Sequence, residues 1–284
     1  MANGLARALL RILQLWRLYG AMDVIWIARD AKTFITWYIT DIVVNGAAVT
    51  ATLLLAERFS GIGPWAKSQV LFLLGYAVLA SGLLDPFCNY NVKYVSRRLG
   101  RGQLDHTLIQ PQPIWMALLT EGFSPLSGTA ALLPGLVLLV WATHALHLSV
   151  TPAWIAALLL NLLASAIIIL AFSYLWGSLA FWAPRSAEEI SSSALRTLDQ
   201  LKSFPLDGLG LGLLGGLLTV LPVGFVAWYP CRALLGIEQS AYQLFTTPIA
   251  AAIISAAAIL AFRGGLKQYA RTGSQRYLSF GHRR

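Results

Sequence analysis

Six apolar runs alternate with short polar gaps along the chain, at residues 35–56, 66–84, 125–146, 153–175, 209–229 and 247–262. Most approach the roughly 20 residues that a helix needs to cross a bilayer. A seventh segment, 5–32, differs: Arg7, Arg11, Gln14 and Arg17 follow helical spacing and share a face, while Leu9, Leu10, Leu13 and Trp16 fill the rest. A basic stripe opposite Leu and Trp predicts a helix lying in the membrane surface. Residues 186–203 repeat Ile190, Ala194, Leu198 and Leu201 at helical spacing behind a Ser186-x-x-Glu189 capping box, which predicts a short amphipathic cytoplasmic helix ended by Pro205.

These elements define an all-α integral membrane protein of six transmembrane helices. It divides into an N-terminal interfacial helix (1–34), a six-helix transmembrane domain (35–263) and a basic tail (264–284). Orientation follows from charge. Of the 21 Lys and Arg, 18 fall before the first run, in the gaps 85–113 and 183–208, or after the last run, leaving Arg58, Lys67 and Arg232 on the other side. Basic residues concentrate in short cytoplasmic loops, so both termini are predicted on the cytoplasmic side; the membrane is expected to be a bacterial inner one. Cys88 and Cys231 then sit at opposite faces, which argues against a disulfide.

Composition agrees. Charged residues make up 12% of the chain and mean hydropathy is +0.65, whereas soluble domains carry about 25% charged residues. The net charge of +9 invites a nucleic-acid reading, but its basic residues lie in the gaps between apolar runs rather than on one folded face. Arg7, Arg11 and Arg17 also interrupt any apolar stretch of a cleaved signal.

The chain holds little chemistry of its own. None of its five lysines follows a glycine, so no phosphate cradle of the G-x-x-x-x-G-K-[ST] form exists. Glu188 and Glu189 lie far from His144 and His147, which excludes a metal cluster built from them. No catalytic, cofactor-binding or metal-binding residue is predicted. Gly208, Gly212 and Gly216, four apart, suit close helix packing, either as a dimer contact, on a path-lining helix or within one subunit. Asp41 and Asn45 in the first run are candidates for a path or gate, since charges inside a membrane face protein or water.

The most distinctive gap is 97–113, RRLGRGQLDHTLIQPQP. Gly102, Leu104, Asp105, Leu108 and Pro111 in it form a G-x-L-D-x-x-L-x-x-P pattern that resembles the first cytoplasmic loop of ABC-2 type transporter permeases. Phe181-Trp182, Phe204-Pro205, Leu221-Pro222 and Tyr229-Pro230 follow in the order that family shows. Gln110 departs from the basic residue common before the proline.

The resemblance implies the permease of an exporter that pairs with a second permease subunit and is driven by two copies of a separate ATPase, which binds the ATP and Mg. It makes Arg97, Arg98, Arg101, Gly102, Leu104, Asp105, Leu108 and Pro111 the ATPase-coupling loop. The competing reading is a membrane scaffold that recruits a soluble partner without transporting anything.

Overall fold

The computed structural model describes residues 2–58, 62–88, 90–237 and 242–273. Among them there is no β-strand, and thirteen α-helices follow in order: α1 Ala2–Arg29, α2 Ala31–Arg58, α3 Lys67–Gly82, α4 Tyr90–Lys93, α5 Val95–Gly100, α6 Leu104–Leu108, α7 Ile114–Thr120, α8 Leu132–Ala145, α9 Pro152–Gly177, α10 Pro184–Leu201, α11 Leu211–Thr219, α12 Tyr229–Leu234 and α13 Gln243–Thr272. The basic tail is helical as far as Thr272, and 274–284 lie outside the described residues.

Among the described residues, four segments are long and apolar enough to cross a membrane: Ala31–Leu54, Ser127–Ala145, Pro152–Phe181 and Gln243–Thr272. They overlap the first, third, fourth and sixth predicted runs. The boundaries follow local chemistry. Asp30 separates α1 from α2 and accepts the Thr33 N–H at 3.2 Å, so it caps the second helix. Thr151 does the same for α9, accepting from Trp154 N at 3.2 Å with Pro152 in the first turn.

The second run is the short α3, 16 residues, and it is the centre of the bundle. Val70, Phe72, Leu73, Tyr76, Ala77 and Ala80 are completely buried, the mark of a helix enclosed on all sides. It meets α8 backbone to backbone. A Cβ on Gly75 would lie 2.6 Å from Leu139 N, one on Gly82 2.8 Å from Leu132 N, and one on Gly135 2.6 Å from Leu79 N. These are the close-packing glycines of the structure. Among the described residues of this chain, Gly208, Gly212 and Gly216 pack against nothing: Gly208 is a turn residue at φ +84 outside the helix, and a Cβ at any of the three meets nothing within 4 Å.

The fifth run departs most from expectation. Residues 209–229 are not one straight span, because Leu211–Thr219 and Gly224–Leu234 bend by 80° about their break. Both ends of this pair lie at one end of the bundle. The Asp207 carboxylate just before it receives N–H groups from the Trp65 and Trp228 indoles, the latter at 2.6 Å, and pairs with Arg232. Near its close, the Leu234 carbonyl accepts from the Trp154 indole at 3.0 Å. Residues 211–234 are therefore a hairpin that enters and leaves at the Trp65 end of α3.

The stretch before it runs along α3 instead. Lys202 donates to Ser81 at one end of α3, whereas Asp207 meets Trp65 at the other, about 24 Å away at about 1.5 Å per residue. Residues 183–208, predicted as one cytoplasmic loop, thus reach both ends of α3. Charge counting does not register this because the Lys202–Asp207 step is only a few residues of turn and irregular chain, with no apolar run to mark it. The helix also starts earlier than its capping box suggested. Pro184 opens it after Ala183, with no side-chain cap, so Ser186 lies inside the first turn.

Candidate functional site

Residues 95–112 form a compact block at the Ser81 end of the bundle. α5 ends at Gly100, and two bonds close the turn after it: Gly102 N–H to the Leu99 carbonyl at 3.0 Å and Gln103 N–H to the Arg98 carbonyl at 2.9 Å. Gly102 takes φ +65. This is the Schellman stop, in which the left-handed residue is one that glycine reaches without a Cβ clash. The chain then turns straight into α6.

The inner side of α6 is fixed on four elements. Leu104 is completely buried with Val95, Leu99, Phe181, Ala187 and Tyr269. The Tyr269 hydroxyl, near the end of α13, donates to Asp105 Oδ1. Thr107 accepts from Arg98 Nη2 at 2.6 Å, and Arg98 pairs with Glu121 after α7. Gln110 donates to the other oxygen of that carboxylate, Oε1, at 3.0 Å. Arg97 reaches Glu188 of α10 at 3.9 Å. From α1, Arg11 Nη2 meets the Pro111 carbonyl at 3.5 Å.

The outer side is open. Arg101, Gln103, His106 and Pro111 are exposed, Leu108 is 44% exposed and Ile109 is 81% exposed. Predicted site residues therefore divide by role: Leu104, Gly102, Arg98 and Asp105 hold the loop, while Arg101, Leu108 and Pro111 face outward. Ile109 was not singled out from sequence. Neither were Glu121, Glu188 and Tyr269 as its anchors, since they lie up to 164 residues away in the chain.

A second charged cluster sits beneath the block. Lys93 reaches Asp85 at 3.7 Å, and Lys202 reaches Asp199 at 2.8 Å. Burial alone would push the Lys93 ammonium down. Asp199 and Asp85 beside it outweigh that and hold it above its ordinary value. Burial pushes the Asp85 carboxyl up, with Lys93 and Lys202 pulling the other way. Asp41 of α2 lies within electrostatic range of Lys93. Asn45 donates to the Asp41 carbonyl at 2.9 Å within its own helix. Both are near the charged cluster and apart from the exposed face of α6, while Gly208, Gly212 and Gly216 belong to the opposite end.

The family model described as ABC-2 family transporter protein matches residues 42–273. The chain belongs to that family. Its role is that of a membrane transport permease, in keeping with its apolar helices. No curated protein and no solved structure gives a significant match. The match begins inside α2 and leaves out α1, so the N-terminal helix rests on the chain's own contacts. Its Asp23 is buried and accepts from Leu126 N at 2.9 Å and Ser127 Oγ at 2.6 Å.

Proposed function

We propose that this ABC-2 permease is the membrane subunit of an ATP-driven exporter and couples through α5–α6 to two separate ATPase subunits that bind ATP and Mg. A second permease subunit, identical or homologous, completes the path. The observation that carries the reading is the two-sidedness of α6: an exposed Leu108–Ile109 tip on a segment whose inner side is bonded to α13 and α5 and buried against α10. An exposed apolar tip suits docking to a soluble partner. A held inner side passes displacement on rather than absorbing it.

In this reading the loop end is cytoplasmic, as the excess of basic residues favours. Six crossings follow: α2, α3, α8, α9, the α10–Asp207 stretch and α13. The 211–234 hairpin re-enters from the outer face, and α1 lies along the inner surface of a bacterial plasma membrane. The outward face of α10 then matters, because Ser193, Arg196 and Gln200 on it are exposed. Polar side chains at membrane depth face water or protein. α10 thus lines the path, with Asp41 and the Lys93 cluster at its inner mouth.

The test is purification from the native host. A stoichiometric partner carrying a phosphate-binding G-x-x-x-x-G-K-[ST] loop is expected, with transport-linked ATPase activity lost in Ile109→Asp. A partner without ATPase activity would favour the scaffold reading instead.

A further inference from the structure

A cavity of about 620 Å³ opens between α7, α9 and α13. Its wall is apolar: Leu118 of α7, Ile167 and Leu170 of α9, and Ile259 and Phe262 of α13 line it, with Arg263 on the α13 side. No carboxylate is in the lining, and among the described residues Arg263 makes no ion pair. Arg263 lies six residues, about 9 Å along the helix, before Tyr269, which holds α6. The cavity is therefore at the loop end of the bundle, walled for hydrocarbon and edged by a cation.

We infer that this cavity holds an acyl chain of an anionic glycerophospholipid from the cytoplasmic leaflet, with its phosphate at Arg263. The volume falls within the roughly 300–1,000 Å³ of ligand pockets, and two turns of a helix about 10 Å across would not fit in it. That size favours a lipid tail over a segment of a second copy. The cation favours an anionic headgroup, which cytoplasmic-leaflet lipids supply. A lipid here wedges between α7 and α13, the two elements that hold the α6 block through Glu121 and Tyr269. It is a resident part of the coupling region and not cargo. The inference rests on the cytoplasmic placement of the loop end, and it needs no ATPase.

Native mass spectrometry of the purified full chain tests it, with phosphatidylglycerol or phosphatidylcholine added at equal concentration. Wild type is expected to retain phosphatidylglycerol about fivefold better, the effect of one cation near a lipid surface. Arg263→Gln removes the preference, whereas Lys267→Gln, the same charge change outside the lining, keeps it. Ile167→Trp and Ser255→Leu add bulk at two points of the wall and reduce retention of both lipids. Equal retention of the two lipids by wild type overturns the inference. So does an equal loss in Lys267→Gln and Arg263→Gln, or a second copy of the chain in place of lipid. Because the chain is measured alone, failure to find an ATPase partner leaves this result standing, and the reverse also holds.

Discussion

The Tyr269 hydroxyl donates to the Asp105 carboxylate across 164 residues of chain, tying the last long helix to α6. Tyr269 is 8% exposed and Asp105 lies at the surface, so the bond is anchored from the α13 side. A hydrogen bond to a charged group contributes about 1.5–3 kcal/mol when shielded and less at a surface. Tyr269→Phe and Asp105→Ala are each expected to speed backbone hydrogen exchange in 104–108 by a few-fold. The double variant should add nothing further, because both changes remove one contact. Additive effects would mean the two residues act separately.

Holding the loop and touching a partner are separable. Leu104 is fully buried, and truncating such a leucine to alanine costs about 2–5 kcal/mol. Leu104→Ala should lower the thermal stability of the purified permease. Ile109→Asp, at an 81% exposed position, should leave stability unchanged while abolishing partner-dependent ATPase activity. Differential scanning fluorimetry beside an ATPase assay distinguishes them. If Ile109→Asp keeps full activity, the exposed tip is not the docking surface.

How much of this was legible in the sequence depends on the signal each feature leaves. α9 and α13 announce themselves by length and apolarity, and α9 by Thr151-Pro152 as well. The G-x-L-D pattern marked the block, and the family match now covers it. What the pattern left open is that Leu104 points inward and Ile109 outward, because periodicity is weak over the five residues of α6. The fifth run misled for a different reason. Residues 209–229 are apolar enough to span, but hydropathy does not register an 80° bend. Its correction lies in Asp207 and Trp65, which are 142 residues apart. The glycines that pack α3 on α8 left no such mark, and at Gly208, Gly212 and Gly216 a spacing of four shows only a shared face. Whether a neighbour fills that face is a tertiary fact.

That last point is directly testable. A Cβ at Gly75 would sit 2.6 Å from a backbone nitrogen of α8, which has no side chain to swing aside. Gly75→Ala should destabilise by about 1–3 kcal/mol, the usual overpacking cost. Gly212→Ala meets open space within a helix and should be neutral or stabilising by up to about 1 kcal/mol. Thermal unfolding in one detergent ranks the two, and the reverse order would contradict the α3–α8 contact.

The Lys93 cluster gives a pH dependence with a defined sign. Its folded-state value is raised, by Asp199 and Asp85 acting against burial. A raised lysine contributes stability that is complete below the unfolded value, about 10.4, and is lost as pH climbs through the folded value. Stability of wild type relative to Lys93→Met should therefore be flat from about pH 6 to 9 and shrink above about pH 10. A gap that closes toward acid instead would show that the aspartates, not the ammonium, control the cluster.

The 211–234 hairpin makes the sharpest claim about topology. Charge distribution alone puts residue 210 at the cytoplasmic start of a span. The bonds of Asp207 to Trp65, Trp228 and Arg232 put it at the opposite end. The native Cys88 and Cys231 are both buried, and burial raises the Cys88 thiol to about 11, so background labelling should be low. Gly210→Cys introduces an exposed thiol where a Cβ meets nothing within 4 Å. A membrane-impermeant maleimide added to intact spheroplasts should label it without permeabilisation, while Gln103→Cys on the loop block should react only afterwards. Labelling of Gly210→Cys solely after permeabilisation would restore a single fifth crossing, bent at its break. The Asp207 cluster would then have to lie on the cytoplasmic side, together with Trp65 and the start of α3.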